Sequence, residues 1–459
     1  MASTTTRDMT QGSPARLIFG FFVPLLFGML FQQIYSMVDT VIVGRFLGVD
    51  ALAGVGCTGS VNFLVLGFCI GICTGFSIPV AQKFGEKDLA GLNRFVVNAF
   101  LLAGVLAAVM TTAVCLSCKS VLRLMNTPAD IFDYAYDYIF VIFLGIPVVF
   151  AYNVMFGIIR SMGDSRTPVI YLIISSVMNV ALDLLFIVVF GLGVGGAAWA
   201  TVCSQAFSCL MCVRYIRRCD MLALHAGSWK WDGKCIRHLL GMGLPTGLQY
   251  SITAIGSIVL QSAVNGLGSL YVASIATGGK LGAFFSCPFE SLGSTMATYG
   301  GQNAGAGKLD RIPRGLRVAL VFGAIYSVAA LMVLILFGDR LLTLFVDASE
   351  TDVIGNAKQY LIINGMGYLL LMFVNTIRFL IQGLGFPKQA VFAGVCEMLA
   401  RMLVGWWFVP AFGYLGACMS NPAAWLAADA FLIPAYFWAM RTLKTKMSSL
   451  AETQQRGPA

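Results

Sequence analysis

The chain is 459 residues long, 58% apolar and only 11% charged, with a mean hydropathy of +0.82. Such a composition excludes a water-soluble globular protein, because that much apolar surface must face lipid. The formal charge of +9 reads as an orientation signal and not as a nucleic-acid surface, since the cations fall in short loops between apolar runs.

The first 15 residues are polar, and the apolar stretch after Arg16 is too long for a signal-peptide core and lacks a cleavage site. Twelve apolar segments follow, at roughly 15–43, 51–80, 95–117, 133–159, 168–190, 194–213, 238–266, 271–299, 316–338, 358–383, 389–410 and 414–440. Each is long enough to cross the bilayer core, and only a helix satisfies its own backbone there. The expectation is an all-α polytopic membrane protein: an N-terminal six-helix lobe over 1–216, a cytoplasmic linker over 217–237, a C-terminal six-helix lobe over 238–440 and a cytoplasmic tail over 441–459. With the N-terminus inside, 22 Lys and Arg lie in cytoplasmic segments and five, Arg45, Lys119, Arg123, Arg340 and Lys358, outside. This bias puts both termini in the cytoplasm of a multi-pass cell-membrane protein.

The two halves are copies. At an offset of 220 to 222, Pro24 falls on Pro245, Gly48 on Gly268, Gln82 on Gln302, Arg94 on Arg314, Tyr138 on Tyr360, Gly145 on Gly367 and Asn153 on Asn375. The turn Arg160–Gly163 falls on Gln382–Gly385. Internal duplication in a polytopic chain points to a secondary transporter, and an even number of spans per half relates the lobes by a pseudo-two-fold axis along the membrane normal. Pro24 removes a backbone donor inside the first span and is a candidate hinge, with a tolerated kink as the alternative.

Several motifs that resemble chemistry do not carry it. The pairs Cys115/Cys118 and Cys209/Cys212 sit at helix ends among apolar neighbours, and His225 and His238 are the only histidines, so packing thiols are the reading and not a metal centre. Gly191–Gly196 satisfies GxGxxG without a surrounding βαβ unit. Gly301–Lys308 resembles a P-loop but has Gln302 where the first glycine belongs and Leu309 where the Mg²⁺ hydroxyl belongs. No nucleotide site, cofactor or enzymatic triad is expected, so uphill transport would draw on an ion gradient.

Carboxylates inside the bilayer are expensive and point to machinery. Asp39 lies roughly 34 Å along its helix from Arg16, and Asp183 roughly 25 Å from Arg166, so both reach the outer half of the first lobe. Asn179 precedes Asp183 by one turn, on one face with Ser175. This oxygen-rich group suits a proton or a hard cation; the alternative is an interfacial Asp39 with Asn179 bridging helices. In the second copy Glu397 and Arg401 replace Ser175 and Asn179 and are spaced to neutralise each other. Lys280, Glu290 and Asp429 form an alternative charged constellation.

Pro24–Gly44, Arg160-Ser-Met-Gly-Asp-Ser-Arg-Thr-Pro168, Asn179-Val-Ala-Leu-Asp183, Gly195–Thr201 and Gly301–Lys308 together resemble the multidrug and toxic compound extrusion (MATE) family over about 15–440. The resemblance implies paired six-helix bundles, antiport of Na⁺ or H⁺ against amphipathic, often cationic, organic compounds, and a coupling-cation site at Asp39, Asn179, Asp183 and Thr201. Some members carry an acid in the seventh span; Thr253 stands near that place here, so that second site is not implied. The expected partners are drug-like small molecules and the lipid bilayer, with no nucleic acid and no nucleotide, and the chain is expected to act as a monomer. The competing readings are a lipid-linked precursor flippase, which calls for a cationic cavity, and a membrane-embedded lipid-processing enzyme.

Overall fold

A computed structural model describes residues 6–125, 127–222 and 229–455; His225 and the last four residues of the expected tail lie outside the described residues. The order is α1 (Pro14–Leu47), α2 (Val49–Cys57), α3 (Gly59–Glu86), α4 (Leu89–Leu124), α5 (Phe132–Leu144), α6 (Ile146–Ser161), α7 (Arg166–Asp183), α8 (Gly193–Arg217), α9 (Gly233–Asn265), α10 (Ser269–Gly305), α11 (Arg311–Leu342), α12 (Thr351–Met366), α13 (Tyr368–Gly383), α14 (Pro387–Leu403), α15 (Val409–Phe412), α16 (Tyr414–Cys418) and α17 (Ser420–Gln455). Short π-helical segments, Leu184–Val189 and Val404–Phe408, continue α7 and α14. All thirteen cysteines are free thiols.

Among the described residues eight helices are long and apolar enough to cross a membrane, and ten spans result when two bent pairs each count as one. The expected seventh and eighth segments are α9 and α10, 33 and 37 residues long. Their length suffices, but Gln249, Thr253 and Gln261 in α9 and Thr277, Lys280 and Glu290 in α10 make them more polar than those eight. The segment expected at 51–80 is two helices, broken at Thr58. This residue is fully buried, and its hydroxyl donates to the Val55 carbonyl at 2.7 Å, a local bond that competes with helix continuation.

Duplication governs the backbone as well. The pair α5/α6 bends by 47° and the pair α12/α13 by 53°, at Gly145 and Gly367. A Cβ on Gly145 would lie 2.5 Å from Val202 Cγ2, and Pro147 in the first turn of α6 is preorganised to start a helix. The paired turn glycines Gly163 and Gly385 both take left-handed conformations, φ 86° and 95°, open to glycine without steric cost.

The chain divides into two compact units, one joining the residues up to Asp8 with Val23–Gly247, the other joining Met9–Phe22 with the chain from Leu248 onward. The division therefore falls beside Pro24 in α1 and beside Pro245 in α9, inside helices and away from the linker expected at 217–237. The first unit packs α3 against α6 around Ile72, Phe76, Phe143, Phe150 and Ile158. There Gly75 approaches α9 so closely that a Cβ would sit 2.6 Å from the Met242 carbonyl oxygen. The second unit packs α10 on α13 and α14 on α17.

Residues 9–12 are bound into the second unit by the segment that superficially resembles a P-loop. Met9 N–H donates to Gln302 Oε1 at 2.9 Å and Asn303 Nδ2 donates to Met9 O at 3.2 Å. Lys308 Nζ donates to Thr10 O at 2.9 Å and Arg311 to Gly12 O at 2.8 Å. Gln302 and Asn303 are fully buried, so their polar groups need these partners.

Candidate functional site

The first unit brings four expected residues and two tyrosines together. Asp39 comes from α1, Asn179 and Asp183 from the end of α7, and Thr201 from α8, which packs on α7. Asp183 is 0% and Asn179 1% exposed. With the Asn179 amide oriented by its neighbours, Nδ2 donates to Asp183 Oδ2 at 3.1 Å and its oxygen accepts from Thr201 N at 3.1 Å. The Asp39 and Asp183 carboxyl groups lie within hydrogen-bonding reach of each other. Tyr35, one turn before Asp39, reaches the Thr201 hydroxyl, and Tyr138 of α5 faces Asp39 and Tyr35. Among the described residues each carboxyl group keeps one buried oxygen, Oδ1, without a hydrogen-bond partner.

Chemically this is an oxygen cage with vacant acceptor capacity. Two carboxyl groups in contact away from water require a shared proton or a cation between them. Carboxylate, amide and hydroxyl oxygens are the ligands that hard cations take. The π-helical turn begins at the residue after Asp183, and such turns recur at functional positions. Tyr35 could have been found from its spacing to Asp39; Tyr138 has no local signal, because its place depends on how α5 packs.

The second unit holds a different buried set. Glu397 (2% exposed) of α14 is flanked by Arg378 of α13, with which it forms an ion pair, and by Arg401, 3.7 Å away. The expected Glu397–Arg401 pair is thus a triad, and the missing partner is supplied by another helix. Asp429 of α17 (3% exposed) has neither oxygen hydrogen-bonded among the described residues and lies in the field of Arg378. Lys280 and Glu290 do not join it. Both are exposed on α10, off the face where Leu281, Phe289, Ser291 and Leu292 are buried, so the constellation expected of them with Asp429 is not assembled. Tyr360 extends the duplication: it accepts from Asn421 Nδ2 at 3.1 Å and lies in the field of Arg401, as Tyr138 lies in that of Asp39.

Comparison with known proteins identifies the family. The MatE family profile matches residues 24–185 and again 245–407, once per copy. The chain is 30% identical over 373 residues to the probable multidrug resistance protein YoeA of Bacillus subtilis (strain 168), covering 80% of each chain. It is 28% identical over 357 residues to the probable multidrug resistance protein YpnP of the same organism, covering 77% of this chain and 79% of that one. A crystal structure of MATE in the bent conformation superposes with a TM-score of 0.87 at 21% identity, over 98% of this chain and 100% of the other. With the profile covering both halves and the fold shared along nearly the whole length, the chain belongs to the MatE family, multi-pass membrane transporters and not enzymes.

Proposed function

We propose that the protein is a secondary multidrug efflux antiporter that exchanges Na⁺ or H⁺ for amphipathic, often cationic, organic compounds. The observation carrying this reading is the cage of half-buried Asp39 and Thr201 with buried Asn179 and Asp183, whose two carboxyl oxygens unpartnered among the described residues leave room for one coupling ion. The names borne by the two Bacillus relatives support the drug class. Binding the ion removes the repulsion between two carboxylates, and releasing it restores that repulsion. Asp39 stands roughly 22 Å along α1 from Pro24, so the helix that feels the charge also contains the proline at which the chain passes from one unit to the other. Pro24 is assigned as the hinge on this basis.

Cells expressing the protein are expected to accumulate less of an organic cation dye such as ethidium, with the difference vanishing when ion gradients are dissipated. Export persisting in gradient-free vesicles supplied only with ATP would contradict antiport. A flippase for anionic lipid-linked precursors is the weaker reading, because Arg378 and Arg401 are matched by Glu397 and Asp429.

The orientation proposed is both termini in the cytoplasm, motivated by the 22 to 5 distribution of cations. In a background without native cysteines, Leu192→Cys and Asp310→Cys are expected to label from opposite faces of the membrane. Labelling of both from one face rules out the arrangement.

A further inference from the structure

The second unit carries an apolar groove that the transport reading leaves unused. It has a volume of about 450 Å³ and lies between the N-terminal part of α1 and the N-terminal half of α11, lined by Phe19, Phe22, Val321, Phe322 and Ile325 with Arg317 at one end. Phe19 and Phe22 pack edge-on against Phe322, with ring centres 5.2 and 5.3 Å apart, which fixes the floor. From Arg317 to Ile325 the groove runs roughly 12 Å along the helix. Arg314 stands one turn before Arg317 and Val318 on the same stripe of α11. Arg314 and Arg317 are exposed, and neither forms an ion pair with a carboxylate among the described residues.

The duplicated position in the first unit is built differently. Arg94, the counterpart of Arg314, pairs with Asp232 at 3.6 Å. Nearby, His238 caps Phe95 at 5.6 Å and Trp229 packs on Phe100 at 6.2 Å, so that unit supplies both an anion and an apolar cover from its own chain. The corresponding stretch of the second unit, Met9–Arg16, contains no acid. Its Lys308 and Arg311 are engaged with Thr10 and Gly12, whereas neither Arg314 nor Arg317, beside the groove, has a carboxylate partner among the described residues.

We propose that this groove binds an anionic glycerophospholipid, its phosphate against Arg314 and Arg317 and one acyl chain along Phe19, Phe322 and Ile325. In a bilayer a tail gains little by exchanging lipid for protein, so selectivity must come from the headgroup. Two interfacial arginines beside an apolar channel favour an anionic head over a zwitterionic one.

The test uses the purified, delipidated full-length protein titrated with phosphatidylglycerol and with phosphatidylcholine of identical chains, bound lipid being counted by native mass spectrometry. Phosphatidylglycerol is expected to bind about tenfold more tightly, and the Arg314→Gln/Arg317→Gln double variant to lose that preference. Val321→Trp, which fills the groove, is expected to weaken both lipids. Glycerol phosphate without chains is expected to displace neither. Equal affinity of the wild type for both lipids, a preference that survives in the double variant, or displacement by glycerol phosphate overturns the proposal. None of these readouts requires export, so they stand apart from the transport reading.

Discussion

Asp183→Asn is expected to abolish ion-driven export while leaving the protein folded. The substitution keeps the shape of the side chain, and the new amide oxygen can still accept from Asn179 Nδ2, the bond seen at 3.1 Å. What is lost is a charge on which a buried cation depends. A charge-assisted contact of about 3 kcal/mol corresponds to a loss of about a hundredfold in coupled transport rate. Thermal unfolding of the purified variant is expected to match or exceed that of the wild type, because removing one of two adjacent buried carboxylates relieves repulsion. Asp39→Asn is expected to behave alike. A purely structural role reverses the order, with stability falling before transport. Paired measurement of gradient-driven efflux and unfolding temperature separates the two, and near-normal efflux in both variants would falsify the assignment.

Glu397→Gln is expected to do the opposite: it destabilises the protein by about 3–5 kcal/mol. Glu397 is the carboxylate between Arg378 and Arg401, and all three are buried. Neutralising it leaves two guanidinium groups facing one another out of water with only Asp429 nearby. Adding Arg378→Gln to Glu397→Gln is expected to restore part of the loss. Glu290→Gln, at an exposed position of α10 that joins no ion pair among the described residues, is expected to lack that destabilisation, since neutralising an unpaired carboxylate inside the bilayer removes a cost. An unfolding temperature for Glu397→Gln equal to that of the wild type would remove the triad from the account of stability.

The contrast between the two clusters also marks what sequence reasoning can reach. Asn179 and Asp183 are legible because one helical turn separates them, and Asp39 because its depth follows from counting residues. The duplication is legible because it rests on backbone chemistry: Gly145 and Gly367 stand at the two bends, and Gly163 and Gly385 share a left-handed φ. Arg378 carries no such signal in the sequence, since its approach to Glu397 is made by packing between α13 and α14 and by no local spacing. Tyr138 escaped for the same reason. Lys280 and Glu290 were over-read because a charge inside an apolar run says nothing of which face it occupies. The break at Thr58 depends on a hydroxyl turning back onto its own helix, an outcome that a hydropathy profile does not register.

The binding of residues 9–12 to Gln302, Asn303, Lys308 and Arg311 sets an order of assembly. The hydrogen bond from Met9 to Gln302 spans 293 positions, so at ribosomal rates of about 5–20 residues per second the early segment waits roughly 15 to 60 seconds for its acceptor to be made. During that interval the buried faces of Gln302 and Asn303 do not yet exist. The second unit is thus closed by residues made well before the rest of it. Its completion, unlike that of the first unit, is a late event of synthesis, and a bulky fusion placed just ahead of Met9 would be carried into that last step.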